Sequence, residues 1–338
     1  MALVAATARL LDPVDGLRRR WLRLLGPLCR PLIVNRDARI AVMASLMIVT
    51  ATLATIVLPL WVLAIGPMIW GVPHLLADVR YMVVGQGFHR RPLLWFLGGL
   101  PILATGFGAG LSFGLLGVAA VALVARAGLS RRLVAIAIAG LLSLGVDAIG
   151  SLADLLFAYL HNFIAVALWW AWRPRTRKLH WIPLVLFVGV SGLLLSPLGL
   201  ALAERSAALF REIGGLGIDY QLARLAPGVD IELGLRLVLL YTFTQSIHYA
   251  VWVHLLPDED RTRATPPTFR RSFVDLCRDL GGPIMIGAAI LALFFAGWAL
   301  LDLRDAYSGY FRFARFHGHL ELAAVTLLVL EGKFVWSR

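Results

Sequence analysis

Long apolar runs separated by short basic ones set the pattern of this chain. Apolar residues run almost unbroken near 39–58, 60–84, 92–109, 110–127, 131–149, 151–172, 180–202, 233–256, 281–303 and 307–334. Roughly 20 apolar residues suffice to cross a bilayer as a helix, and most of these runs approach or reach that length. The pattern predicts an all-α polytopic membrane helical bundle of about ten transmembrane helices. A transmembrane barrel needs short segments of alternating polarity, which uniform runs contradict.

The polar residues between the runs orient them. Arg18-Arg19-Arg20, Arg90-Arg91, Arg131-Arg132, the stretch from Arg173 to Lys178 and that from Arg261 to Arg271 are basic. Cytoplasmic loops carry such an excess of Lys and Arg. With the N-terminus inside, the connections near 85–91, 127–132, 173–179 and 257–280 fall inside, and all are basic. Those near 59, 110 and 150 fall outside and carry essentially no positive charge, while the outer segment 203–232 mixes both signs. Both termini are then cytoplasmic. Arg304, Arg312 and Arg315 strain the scheme, because they lie outside by this count. Either the final helix begins near Phe316, or these arginines line a polar cavity or a re-entrant stretch.

Residues 1–38 form a cytoplasmic or interfacial segment, and residues 39–338 a single transmembrane domain without linker or internal repeat. Leu17 to Leu32 mixes Arg with Trp21, Leu22, Leu24 and Leu25. It reads as an amphipathic helix on the membrane surface, in contact with anionic lipid headgroups. Asp12 and Asp15 precede its arginines and no basic region leads an apolar one, so a cleavable signal is not expected.

Composition agrees. The chain has 338 residues, of which 59% are hydrophobic and 15% charged, and its mean hydropathy is +0.80. Soluble domains carry about 25% charged residues. The net charge of +12 sits between apolar runs rather than on a soluble basic domain, so it does not point to nucleic acid. The two cysteines, Cys29 and Cys277, form neither a disulfide framework nor a thiolate metal site.

Within this apolar setting, ionisable residues stand out. In Gly71-Val-Pro73-His74-Leu-Leu-Ala-Asp78-Val-Arg80, His74 and Asp78 are four apart and share a helix face. Pro67 and Pro73 interrupt that helix, as proline often does beside a cavity. The pair reads as a metal-ligating His with an acid that is itself a ligand or orients the imidazole; the structural alternative is an ion pair of Asp78 with Arg80 or another arginine. His161 follows Asp154 by seven residues on one face. Gln245, His248 and Trp252 share a face, which would let Gln245 orient His248. In Phe316-His317-Gly318-His319-Leu-Glu321, His317 and Glu321 share a face and His319 points elsewhere unless Gly318 distorts the turn. At least one of His317 and His319 is expected to be a ligand. His89, His180 and His254 read as loop or interface residues.

Intramembrane ionisable groups usually mark a site or pathway. Several helices each offering a histidine (His74, His161, His248, His317 or His319) supply three or four ligands, with Asp78, Asp154 and Glu321 as candidate catalytic acids. Neutral imidazole with carboxylate suits non-haem Fe(II) and leaves room for dioxygen. No zincin, Walker or haem-attachment motif occurs, and no H-x-x-H-H box. The expectation is an iron-dependent oxygenase acting on an apolar, lipid-like substrate. The rival readings are a proton-coupled transporter relaying through these His and Asp residues, a haem or quinone electron-transfer subunit, and a scaffold with packing histidines.

The element Gly71-x-Pro73-His74-x-x-x-Asp78 resembles that of the Brp/Blh family of membrane-bound β-carotene 15,15′-dioxygenases. That family's Gly-Ala after the histidine is Leu75-Leu76 here. The resemblance implies iron held by histidines from several helices, with dioxygen cleaving a carotenoid to retinal. It implies His74 as a ligand, with His161, His248 and one of His317 or His319 as counterparts. The expected location is a bacterial inner (cell) membrane.

Overall fold

The computed structural model describes residues 2–173, 178–206, 211–262 and 265–333, and among them no strand occurs. Three helices lead the chain: α1 (Ala2–Arg9), α2 (Asp12–Leu24) and α3 (Gly26–Val34). The first half of the bundle is α4 (Arg36–Val57), α5 (Pro59–Asp78), α6 (Pro92–Leu94), α7 (Leu100–Thr105), α8 (Leu111–Leu123), α9 (Leu129–Ile149) and α10 (Ser151–Ala171). The second half is α11 (Trp181–Leu195), α12 (Pro197–Glu204), α13 (Ile218–Leu225), α14 (Ile231–Ala250), α15 (Leu256–Asp260), α16 (Phe269–Leu280), α17 (Gly282–Leu301) and α18 (Leu303–Leu330).

Among the described residues, seven helical stretches are long and apolar enough to cross a membrane. The expected runs 92–109 and 110–127 become the shorter stretches Pro92–Thr105 and Leu111–Leu123. At 1.5 Å per residue each reaches only about 20 Å of a hydrocarbon core of roughly 30 Å. The run 180–202 breaks at Ser196, which caps Gly199 N–H ahead of Pro197. The run 233–256 is helical but is not one of the seven, because polar residues along α14, Gln245 and His248 among them, lower its mean hydropathy, and those two lie inside the bundle. It buries Thr242, Thr244, Gln245 and His248, and Thr242, Thr244 and Ser246 donate to the carbonyls of Val238, Leu240 and Thr242. A helix enclosed by protein needs no lipid-facing stripe.

The connections sort to two ends. Arg39 pairs with Asp258 at 2.8 Å, Arg80 with Asp279 at 2.7 Å and Arg91 with Glu331 at 2.5 Å. Trp172 donates to Asp260. The connections expected inside therefore share one end, which we call the basic end. Residues 174–177 and 263–264 of the basic clusters, and residue 334 at the expected close of the last run, lie outside the described residues. At the opposite end Ser112 meets Asp147 and Ser206 donates to the Ile56 carbonyl. Gly150, with φ of 58°, makes the tight turn that separates Asp147 from Asp154.

The N-terminal segment is tied to the basic end. Buried Asp15 accepts the backbone N–H groups of Phe269 and Arg270, capping α16, and Arg18 donates to the Pro267 carbonyl. Leu17, Trp21, Leu24 and Leu28 stay exposed along one side, an arrangement suited to a headgroup layer.

Candidate metal centre

Four helices, α5, α10, α14 and α18, start at the end opposite the basic one and run in the same sense. His74 lies fifteen residues from Pro59, and His317 fourteen from Leu303. At 1.5 Å per residue both are roughly 21–22 Å deep. The match depends on α18 beginning at Leu303, where the Asp302 side chain accepts the Asp305 N–H at 2.9 Å. A helix starting near Phe316 would have left His317 at its mouth.

The imidazoles of His74, His161, His248 and His317 meet at this depth. Ring centroids are 4.5 Å apart for His161 with His248 and with His317, 4.8 Å for His74 with His317, and 5.3 Å for His74 with His248. Potential ligand atoms of His161, His248, His317 and Glu321 lie within 4.8 Å of one another, as do those of His74, Asp78 and His317. His317 belongs to both groups.

Backbone contacts aim the rings. Nδ1 of His74 lies 3.2 Å from the Trp70 carbonyl, and Nδ1 of His317 contacts the Ala314 carbonyl. A proton on Nδ1 in each case leaves Nε2 with its lone pair facing the centre. Pro67 and Pro73 lie inside α5, which passes into a wide π-helical turn at Val79–Val84. α14 does the same at Val251–Leu255, just after His248. There Pro257 removes an N–H and crowds the carbonyl four residues back, a cause of the widening. Such turns gather at functional sites.

Close approach is allowed by two glycines. A Cβ on Gly71 would fall 2.4 Å from the Tyr310 ring. One on Gly318 would fall 2.7 Å from Phe157 and 3.3 Å from His161 Nδ1.

The donor set fits a cation. Both oxygens of Asp78, both oxygens of Glu321 and both ring nitrogens of His248 are buried without a hydrogen-bond partner. Each such group costs about 1–3 kcal/mol, more when charged. Nε2 of His161 stands 2.7 Å from Nε2 of His317, a separation two lone pairs tolerate only with a proton or cation beside them. Nδ1 of His161 is 3.4 Å from Glu321. Two carboxylates cancel a divalent charge, easing its burial in an apolar layer. Nitrogen and oxygen donors without thiolate suit iron(II) among other first-row dications.

Two candidate residues are not brought to this cluster. His319 is turned away: it stacks on Phe157 at 4.8 Å and packs against Gly114, as its helical phase predicts. Asp154 is half exposed and pairs with Arg315 at 3.6 Å, at the cavity mouth. The orienting role expected of Gln245 is also not seen, since its Nε2 donates to Tyr249 OH at 3.1 Å. The ion pair of Asp78 with Arg80 does not form, because Arg80 turns to Asp279. His254 is exposed, whereas His180 is buried 3.7 Å from Asp37.

A cavity of about 790 Å³ leads from the turns at Gly108, Ser151 and Gly228 down to the four histidines. Arg312 and Arg315 line it, and Arg304 lies over the Tyr220 ring. Of the alternatives for these arginines, the polar cavity holds for Arg312 and Arg315 and not for Arg304. Tyr241, Tyr249, Tyr310 and Arg224 also line it and were not singled out from sequence; only the adjacency of Tyr249 to His248 signalled any of them. Against protein-family models, curated proteins and solved structures, the chain finds no match.

Proposed function

We propose that this multi-pass membrane protein is a non-haem iron oxygenase acting on a long apolar substrate. The observation that carries the reading is the convergence of His74, His161, His248 and His317, from four helices, on the wall of one cavity, with the buried carboxylates of Asp78 and Glu321 grouped with them. His74, His161, His248 and His317 would hold the iron, with Glu321 and Asp78 supplying oxygen donors and balancing charge. Iron(II) in such a shell supplies dioxygen activation and the redox chemistry.

The chain's own contribution is placement. The cavity reaches the cluster from one side, and Phe157, Tyr241 and Tyr310 on its wall would contact an apolar tail. Burial of the cluster keeps bulk water from the reacting centre. The narrower form of the proposal, cleavage of a carotenoid to retinal with dioxygen, rests on the resemblance at Gly71 to Asp78.

Two features favour this reading over its rivals. Four rings packed at 4.5–5.7 Å occupy the space a macrocycle would need, which favours a point ion over haem. Asp154, the expected relay partner of His161, is engaged by Arg315, which weakens a proton path along α10.

The test is metal analysis of the full-length protein purified without chelators. We expect about one equivalent of iron in the wild type and its loss in His74→Ala and His248→Ala. A metal-free wild type would sink the proposal.

A further inference from the structure

The cavity mouth carries charge that oxygen chemistry does not use. Arg224, Arg312 and Arg315 line the cavity, and Asp154 is the one acid on its wall. Three positive charges less one negative leave an excess of two, with histidine neutral. Asp154 is already engaged by Arg315. Arg224 is clamped by rings, its guanidinium 4.6 Å from the Tyr307 centroid and 4.0 Å from that of Phe311. The Tyr307 hydroxyl accepts from the guanidinium, while Nη1 stays buried without a hydrogen-bond partner. Arg312 is exposed, three residues before Arg315 on the same helix.

These arginines also sit at the end where the distribution of charge in membrane proteins disfavours them. A guanidinium nitrogen left without an acceptor is costly, and its planar fork matches a carboxylate or phosphate. Below the mouth the wall turns apolar and aromatic, through Leu155, Phe157, Ala158 and Tyr310.

We propose that the cavity takes a single-chain amphiphile, its anionic head (a carboxylate or phosphate) held by Arg224, Arg312 and Arg315 and its tail directed to the four histidines. The destination of the tail rests on the function proposed above; capture of the head does not. A neutral hydrocarbon has no use for three arginines, so the substrate class narrows to long-chain acids or phosphoesters, and this proposal replaces the carotenoid form of the reading above while keeping its oxygenase centre.

The experiment measures binding of oleate, oleyl phosphate and oleyl alcohol to the full-length protein in non-ionic detergent, with inorganic phosphate as competitor. Iron content is measured on the same samples. A charge-assisted contact is worth about tenfold or more in affinity. We expect oleate and oleyl phosphate to bind at least about tenfold tighter than the alcohol, and the preference to fall about tenfold in Arg224→Gln and in Arg312→Gln. Iron should be unchanged in both variants, and inorganic phosphate should not displace oleate. Equal binding of acid and alcohol overturns the proposal, as does a preference that survives both substitutions. Displacement by inorganic phosphate overturns it too, by marking a plain anion site. Arg312 is exposed, so its variant decides the matter if Arg224→Gln does not fold. A preference for acid in an iron-free wild type would overturn the oxygenase reading alone; bound iron without the preference would overturn this proposal alone.

Discussion

Asp78 and Arg80 are two residues apart, yet the guanidinium of Arg80 reaches Asp279 at 2.7 Å and leaves both Asp78 oxygens buried and unpartnered. Neighbours that sequence would pair are divided between two tasks. Arg80 anchors α16 at the basic end, while Asp78 faces inward with His74 and His317.

That division predicts opposite outcomes for two nearby substitutions. Asp78→Asn should reduce iron retention, by about 10–100-fold in affinity if Asp78 supports the ligands from behind them and by more if it binds directly. Arg80→Gln should leave iron content unchanged and lower stability by about 1–3 kcal/mol, because the pair with Asp279, at 20% and 30% side-chain exposure, lies between a surface ion pair and a buried one. Metal analysis and a melting curve on each variant give both answers.

His317 and His319 should separate equally clearly. His317 belongs to both groups of potential ligands, so His317→Ala is expected to abolish metal binding. His319→Ala should retain it, with a stability loss from the space opened against Phe157 and Gly114. Comparable iron in the two variants would contradict the assignment.

Gly318→Ala tests the close packing at the centre. The added methyl would meet Phe157 at 2.7 Å and His161 Nδ1 at 3.3 Å. We expect an overpacking cost of about 1–3 kcal/mol and weaker metal binding from a displaced His161. A second substitution, Phe157→Leu, should recover part of both, read as melting temperature and iron content.

At the basic end, the ion pair of Arg39 with Asp258 is almost fully buried, at 9% and 7% side-chain exposure. Arg39→Met leaves the buried carboxylate of Asp258 with Arg261 as its remaining partner, at 3.0 Å, and should cost about 1–3 kcal/mol, whereas replacing Arg39 and Asp258 together by apolar residues should be less harmful. Thermal unfolding in detergent of the single and double variants checks this, and iron per folded molecule should be the same in each.

The alternation of the helices and the grouping of basic connections were legible because both follow from composition against a bilayer. The phase of His317 and Glu321, four apart, was legible for the same reason as that of His74 and Asp78: helical geometry repeats locally. What sequence could not show depends on partners far along the chain. Asp279 is 199 residues from Arg80, and nothing near Arg224 announces that Tyr307 and Phe311 will flank it. Asp154 shares a face with His161 and does line the same cavity, but only the tertiary position of Arg315 decides that it meets a cation at the mouth. The wide turns after Asp78 and His248 were half visible, through Pro257 in one case and not at all in the other.

The potential ligand common to both groups, His317, lies on α18, which is made after the three helices that carry the other histidines. Until α18 is in place, the nascent chain holds three of the four histidines and none of the contacts that His317 makes with His74 and His161. Domains are synthesised from the N-terminus onward, so the four imidazoles can meet only once α18 has been made. A partly inserted bundle completes neither group of potential ligands. A chain stopped before Leu303 would lack both His317 and Glu321, and on the reading proposed above it would hold no iron.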